Sequence, residues 1–245
     1  MFRKYLMLML LGHIVGDFYT QTPLISDRKK NELKWTFIHC ILYFLTIFVI
    51  CVPVLSIETL ELAIIVSICH AVIDILKYFY LKKKKIENLT VFIVDQCLHL
   101  FCMVVIAYVW TNADIPLREM KLIKDFFDVA NISEALVCKW VLGLLIIYKP
   151  ANILIRNAIG TYKHSTRDSE FKKDNNSGRK IGFVERVIIL ILLYLNQYSA
   201  IGLVLTAKSI ARYDKITKDE DFAEYYLLGT LISVGITVVC ALLLF

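Results

Sequence analysis

The chain has 245 residues, 58% of them hydrophobic, with mean hydropathy +0.63 and a net charge of +6. A soluble domain is usually about half apolar. Here the excess lies in continuous blocks of about 20 residues, which excludes an ordinary soluble fold and, because the blocks do not alternate, a membrane β-barrel. The positive charge sits mostly in short loops between the blocks, as membrane topology requires, and this excludes nucleic acid as a partner.

The pattern predicts an all-α, polytopic transmembrane helical bundle of about seven membrane segments. Segment one covers about 5–21. The preceding Arg3-Lys4 imitates a signal peptide, but no small-x-small cleavage site follows, and His13 and Asp17 interrupt the apolar run, so a retained helix is expected. Segments two, three and four cover about 35–55, 60–81 and 89–110, the last opened by Asn88 as a cap. In the following loop, 117–130 has amphipathic helical spacing and is expected to lie flat on the membrane surface. Segment five covers about 135–155, with a kink expected at Pro150. The polar, basic stretch 156–181 reads as a mobile loop. Segment six, about 183–213, is longer than one span needs and is interrupted by Asn196, Gln197 and Gly202. It reads either as one tilted helix or as a broken pair. Segment seven covers about 222–245.

Three working regions follow: 1–110 as a four-helix bundle, 111–134 as a surface loop with an interfacial helix, and 135–245 as a second bundle with a polar cytoplasmic loop at 156–181. Basic residues cluster at Arg28, Lys29, Lys30 and Lys34, at Lys82 to Lys85, and through 156–181. If each segment crosses once, these clusters share one side. That side should be cytoplasmic, with the N-terminus outside and the C-terminus inside. Arg3, Lys4, Lys208, Arg212, Lys215 and Lys218 run against this unless segment six is a broken hairpin. The seven cysteines form no C-x-x-C and lie in apolar segments, so they read as small core residues.

Ionisable groups inside spanning helices are costly and face the bundle interior. Three His–Asp pairs sit there at a spacing of four: His13 with Asp17, His70 with Asp74, and Asp95 with His99. That spacing puts each pair on one helix face. Counted from the basic side, the three Asp lie about 8–10 Å deep and the three His about 15 Å deep, at about 1.5 Å rise per residue. The order reverses between segments three and four, which run in opposite directions, as shared layers require. His39, near the basic end of segment two, is placed to join the shallower layer. Neutral imidazole and carboxylate are ligands for first-row divalent ions, with zinc as the first candidate. His13, Asp17, His70, Asp74, Asp95 and His99 are therefore the candidate metal ligands. Any of Asp17, Asp74 and Asp95 left over would act as general base. Gln21 and Gln96 flank the cluster.

The stretches Leu10–Gln21 (LLGHIVGDFYTQ), His70–Lys77 (HAVIDILK), Asp95–His99 (DQCLH), Gly178–Tyr213 and Ala223–Ser233 (AEYYLLGTLIS) resemble the bacterial integral-membrane proteins collected as domain of unknown function 3307 (DUF3307). The resemblance implies a multi-pass protein of the bacterial cytoplasmic (inner) membrane and supports the His and Asp positions as the family's hallmark; it supplies no reaction. The residues themselves point to a metal-dependent hydrolase acting on a lipid-like or membrane-associated substrate, with membrane lipid around it. Two other readings use the same groups: a proton- or cation-coupled transporter or channel, and a non-catalytic sensor or subunit that binds a cytoplasmic protein through 156–181. The metal reading requires the three pairs to converge, because one ion holds its ligands at about 2.0–2.2 Å.

Overall fold

In the computed structural model every described regular element is helical. The structure describes residues 1–54, 56–84, 88–160 and 178–245 in full, and the backbone alone of 170–177. The chain divides into two units, Met1–Leu142 and Gly143–Phe245.

The first unit opens with α1 (Phe2–Ile14), which continues into a π turn at Val15–Tyr19. A short helix, α2 (Pro23–Arg28), follows; Pro23 sits in its first turn and the Thr22 side chain accepts from the Ile25 N–H. Three long helices complete the bundle: α3 (Leu33–Cys51), α4 (Ile57–Lys84) and α5 (Leu89–Asn112). Asn88 caps α5 by accepting from the Val91 N–H at 3.0 Å, as the sequence leads one to expect. Helices α1, α3, α4 and α5 form a ring in which each packs against two neighbours: α1 on α3 and α5, α4 on α3 and α5. The contact between α1 and α3 is close because Gly12 faces Ile47 and Gly16 faces the Tyr43 ring, with no room for a β-carbon.

The end of this ring remote from the basic loops is filled by apolar side chains, among them Met9, Ile47, Leu62, Val66, Met103 and Ile106. The loop after α5 is tied over that end. The Tyr5 hydroxyl donates to the Ile115 carbonyl at 2.6 Å, Lys4 pairs with Glu119 at 2.7 Å, and the Met120 N–H donates to the Pro53 carbonyl. Beyond it, α6 (Lys121–Ala130) exposes Leu122, Phe126 and Val129 along one face and ends at Asn131 in the left-handed conformation. The amphipathic helix is thus present, starting four residues later than the sequence pattern suggests.

The long helix α7 (Glu134–Ile159) begins in the first unit and runs through Pro150 in the second. Helix α8 (Glu170–Tyr194) is followed by α9 (Tyr198–Ile210), α10 (Tyr213–Lys218) and α11 (Glu220–Leu244). Segment six is therefore broken. Asn196 takes a positive φ of 58° between α8 and α9, a conformation asparagine tolerates better than most residues. Lys208 on α9 pairs with the buried Glu185 on α8 at 2.6 Å, so the two arms run antiparallel as a hairpin. The stretch expected to be one polar loop is partly helical: 156–159 continue α7 and 170–181 open α8. Residues 161–169, with His164 and Asp168, lie outside the described residues.

Among the described residues, five helices are long and apolar enough to cross a membrane: Leu33–Val54, Ile57–Lys84, Leu89–Asn112, Glu134–Ile159 and Glu220–Leu244. These correspond to five of the seven expected segments. Segment one carries Arg3, Lys4 and Asp17 on a 13-residue helix plus its π turn, and segment six is divided.

Candidate metal centre

All three His–Asp pairs point into the ring of α1, α3, α4 and α5. His13, His39, His70, Asp74, Asp95 and His99 are each no more than 5% exposed. The His70 and His99 ring centroids lie 4.5 Å apart, His13 and His99 5.1 Å, and His13 and His70 6.0 Å. The convergence that depth counting requires is present.

The hydrogen bonds sort these residues into different positions. The Gln96 amide nitrogen donates to Asp17 at 3.0 Å and to Asp95 at 3.2 Å, which turns its carbonyl oxygen toward His13 Nε2 at 3.2 Å. His13 therefore carries its proton on Nε2, and its Nδ1 faces the Tyr43 hydroxyl at 3.3 Å as acceptor. Both His13 nitrogens are engaged, which leaves no lone pair for an ion. Asp95 is held by the Lys77 ammonium at 2.7 Å as well as by Gln96. His99 Nδ1 donates to the Asp95 backbone carbonyl at 2.8 Å. Its Nε2 is buried without a protein partner and carries the lone pair.

The remaining groups meet around His39. His39 Nε2 lies 3.1 Å from His70 Nε2, 3.2 Å from Asp17 Oδ1 and 3.3 Å from Asp74 Oδ2, and His70 Nε2 is 3.9 Å from Asp74 Oδ2. One ring nitrogen can offer at most one proton, and here it faces three acceptors. Among the described residues, two overlapping sets have ligand atoms within 4.8 Å of one another: Asp17, His39 and His70, and His70, Asp74 and His99. His39 Nδ1, His70 Nδ1, Asp74 Oδ1 and Asp95 Oδ1 are also buried without a described protein partner. Such groups are expensive to bury unless an ion or ordered water satisfies them.

Local chain geometry aims these groups. Asp17 sits in the π turn at Val15–Tyr19, and it and His13 reach the same two helices: α5 through Gln96, and α3 through His39 and Tyr43 respectively. Tyr43 stacks flat on His70, with centroids 3.6 Å apart and planes 1° from parallel, which fixes that ring's plane. Lys29, just past α2, reaches back to donate to Asp74 at 3.0 Å and to Gln21 at 2.8 Å. A small cavity lies beside the imidazoles, lined by His13, His70 and His99 and by Val66, Ile73 and Met103.

Sequence reasoning gives His39 only a supporting place, because no Asp stands four residues from it. Its signal is depth alone. Lys29 is legible only as one of the basic loop residues, and nothing in the sequence points to its bond with Asp74. A polar glutamine beside Asp95 is visible in the sequence, but its bridging of His13, Asp17 and Asp95 is not.

A family model described as Protein of unknown function (DUF3307) matches residues 5–124. Residues 5–124 thus form a DUF3307 region. The DUF3307 match covers α1 to α5 and the start of α6, and so contains every residue of the centre. Gly178–Tyr213 and Ala223–Ser233, which also resemble the family in sequence, lie outside it. No curated protein and no solved structure matches the chain.

Proposed function

We propose that this chain is a membrane-embedded metalloprotein that holds one divalent ion between Asp17, His39 and His70, with zinc as first candidate and the fourth position left to water, and uses it to hydrolyse a lipid-like or membrane-associated substrate. The observation that carries the reading is the geometry around His39. Ligands of a tetrahedral ion at about 2.0–2.2 Å stand about 3.3–3.6 Å from one another. His39 Nε2 stands 3.1 Å from His70 Nε2 and 3.2 Å from Asp17 Oδ1, and one ligand atom from each of the three lies within 4.8 Å of the other two. This set differs from the sequence-based one: His39 enters, His13 becomes a scaffold with both nitrogens occupied, and Asp74 and Asp95 are ion-paired with Lys29 and Lys77.

A divalent ion held there would supply a water of lowered pKa, about 7, and would polarise an ester or phosphoester oxygen. The chain's own groups do the rest. His99, with Nε2 unprotonated and facing the cavity beside His70, is the general base in place of a leftover carboxylate. Asp95 and its backbone carbonyl hold His99 in that tautomer. The apolar end of the ring and the loop tied across it close the site on one side. That favours hydrolysis over transport, since a relay needs a polar path to both faces.

The family resemblance and the basic loops support a bacterial cytoplasmic membrane, with the Lys29 and Lys77 side facing the cytoplasm. Segment one adds a sixth crossing to the five. The α8–α9 hairpin re-enters rather than crosses, which brings Lys208, Arg212, Lys215 and Lys218 to the cytoplasmic side and moves the C-terminus outside. A soluble partner bound through 156–181 stays a secondary proposal, since most of that stretch lies outside the described residues.

A second reading rests on charge. Asp17, Asp74 and Asp95 face Lys29 and Lys77, and a protonated His39 would balance the remaining negative charge without any metal. Metal analysis of protein purified without chelator separates the two. The expected result is about one divalent ion per chain, lost in His39→Ala and His70→Ala and retained in His99→Ala. His99→Ala should also lose hydrolysis across a panel of ester, amide and phosphoester lipids. Wild-type protein with no stoichiometric ion after metal supplementation overturns the reading.

A further inference from the structure

We infer that the site takes a phosphoryl anion, as the headgroup of its substrate, between the ammonium groups of Lys29 and Lys77; this rests on the metal-centre reading above. Both lysines lie toward the end of the ring opposite the apolar one, and their side chains are 12% and 18% exposed, partly sunk yet reachable. Lys77 is about 10 Å along α4 from the end at Lys84, at 1.5 Å per residue, which is headgroup depth rather than mid-membrane.

Each ammonium carries three N–H donors. Lys29 gives two of them, to Gln21 and Asp74, and Lys77 gives one, to Asp95. Among the described residues this leaves one donor on Lys29 and two on Lys77. Charge leads to the same class. Three carboxylates and two ammonium groups leave the centre one negative charge short of neutral. A divalent ion turns that into one positive charge, which a neutral ester would leave uncompensated in a low-dielectric site and an anionic headgroup would balance. The ring of Arg28, Lys30, Lys34, Lys82, Lys83 and Lys84 at the same end raises the local concentration of anions. Lysine serves a phosphate as a point charge and needs no bidentate geometry.

The test uses the full chain, metal-loaded, in phosphatidylcholine nanodiscs, with metal content measured on every sample. Three probes are compared: dioctanoyl phosphatidic acid, dioctanoylglycerol and inorganic phosphate. Phosphatidic acid should bind roughly tenfold or more tighter than dioctanoylglycerol, as expected for one or two charge-assisted hydrogen bonds. Inorganic phosphate that competes with equal strength makes free phosphate the source of the anion, and phosphate that competes only weakly makes it a lipid headgroup. Lys77→Met alone would strand Asp95, so the double variant Lys77→Met/Asp95→Asn is used; it should lose that preference at unchanged metal content, and Lys77→Arg should keep it. Equal affinity for the charged and neutral lipids, or an unaltered preference in the double variant, overturns the inference. Bound metal without anion preference sinks this inference and leaves the metal centre standing. Lysine-dependent anion binding without metal does the reverse.

Discussion

His39 Nε2 and His70 Nε2 face each other at 3.1 Å across the α3–α4 contact, with a carboxylate oxygen on either side. Two imidazole nitrogens at that distance share a proton or share an ion. In the second case metal binding is part of folding, because the unfolded chain has no such site. Metal at a hundredfold excess over its Kd should stabilise the protein by about 2.7 kcal/mol. The expected outcome is a Tm that rises with added Zn²⁺ in wild-type protein, falls with chelator, and responds to neither in His39→Ala. A wild-type Tm indifferent to both would show that the proton, and not an ion, joins the two rings.

Tyr43 links the helix packing to the centre. A β-carbon on Gly16 would stand 2.7 Å from the Tyr43 ring, and that ring lies flat on His70. Gly16→Ala must push the ring aside, an overpacking that typically costs about 1–3 kcal/mol. It should therefore lower metal affinity as well as Tm, although residue 16 touches no ligand atom. Tyr43→Phe keeps the stack and removes only the hydroxyl facing His13, so it should keep the ion. Metal titration of the two variants side by side checks this.

How far the sequence discloses this centre follows from what each signal is made of. The His–Asp pairs are legible because a spacing of four is a local property, and their antiparallel reversal between segments three and four carries long-range information. His39 has no local partner, and the Lys29 to Asp74 pair spans 45 positions, so neither leaves a periodic trace. The same limit hides the role of Gln96, which reaches Asp17 across 79 positions. The break at Asn196 is legible only as an ambiguity, since the pairing of Glu185 with Lys208 decides it. Composition points to helices apolar enough for a membrane, but the count of crossings depends on such pairings.

Helix α6 gives a prediction independent of the metal. Leu122, Phe126 and Val129 are 75%, 64% and 88% exposed along one face, while Lys121, Lys124, Asp125 and Asp128 occupy the rest of the surface. Such a helix lies in the interface with its apolar face about 5–10 Å into the headgroup and acyl boundary. A Phe126→Trp variant, in a chain whose native tryptophans are replaced by Phe, should be quenched by shallow brominated lipids and spared by deep ones. Fluorescence typical of full water exposure in nanodiscs would remove α6 from the membrane surface.

Arg186 should be the strongest stability determinant of the second unit. It is 2% exposed and donates to the Ile147 carbonyl at 2.7 Å, to Asn152 at 2.7 Å and to Ser233 at 3.1 Å. Pro150 has no N–H for the turn before it, and the Ile147 carbonyl lies in that disturbed turn of α7. Arg186 thus joins α7, α8 and α11 at the place where α7 is weakest. Arg186→Met leaves three acceptors buried without a donor, at about 1–3 kcal/mol each where water cannot reach them. Arg186→Lys cannot reproduce a planar fork and should recover little. Both variants should lower Tm by many degrees yet retain one ion per chain, because no ligand lies in this unit. An Arg186→Met protein with native Tm would mean that water or lipid reaches these carbonyl and hydroxyl groups, and loss of its ion would mean that the second unit shapes the centre.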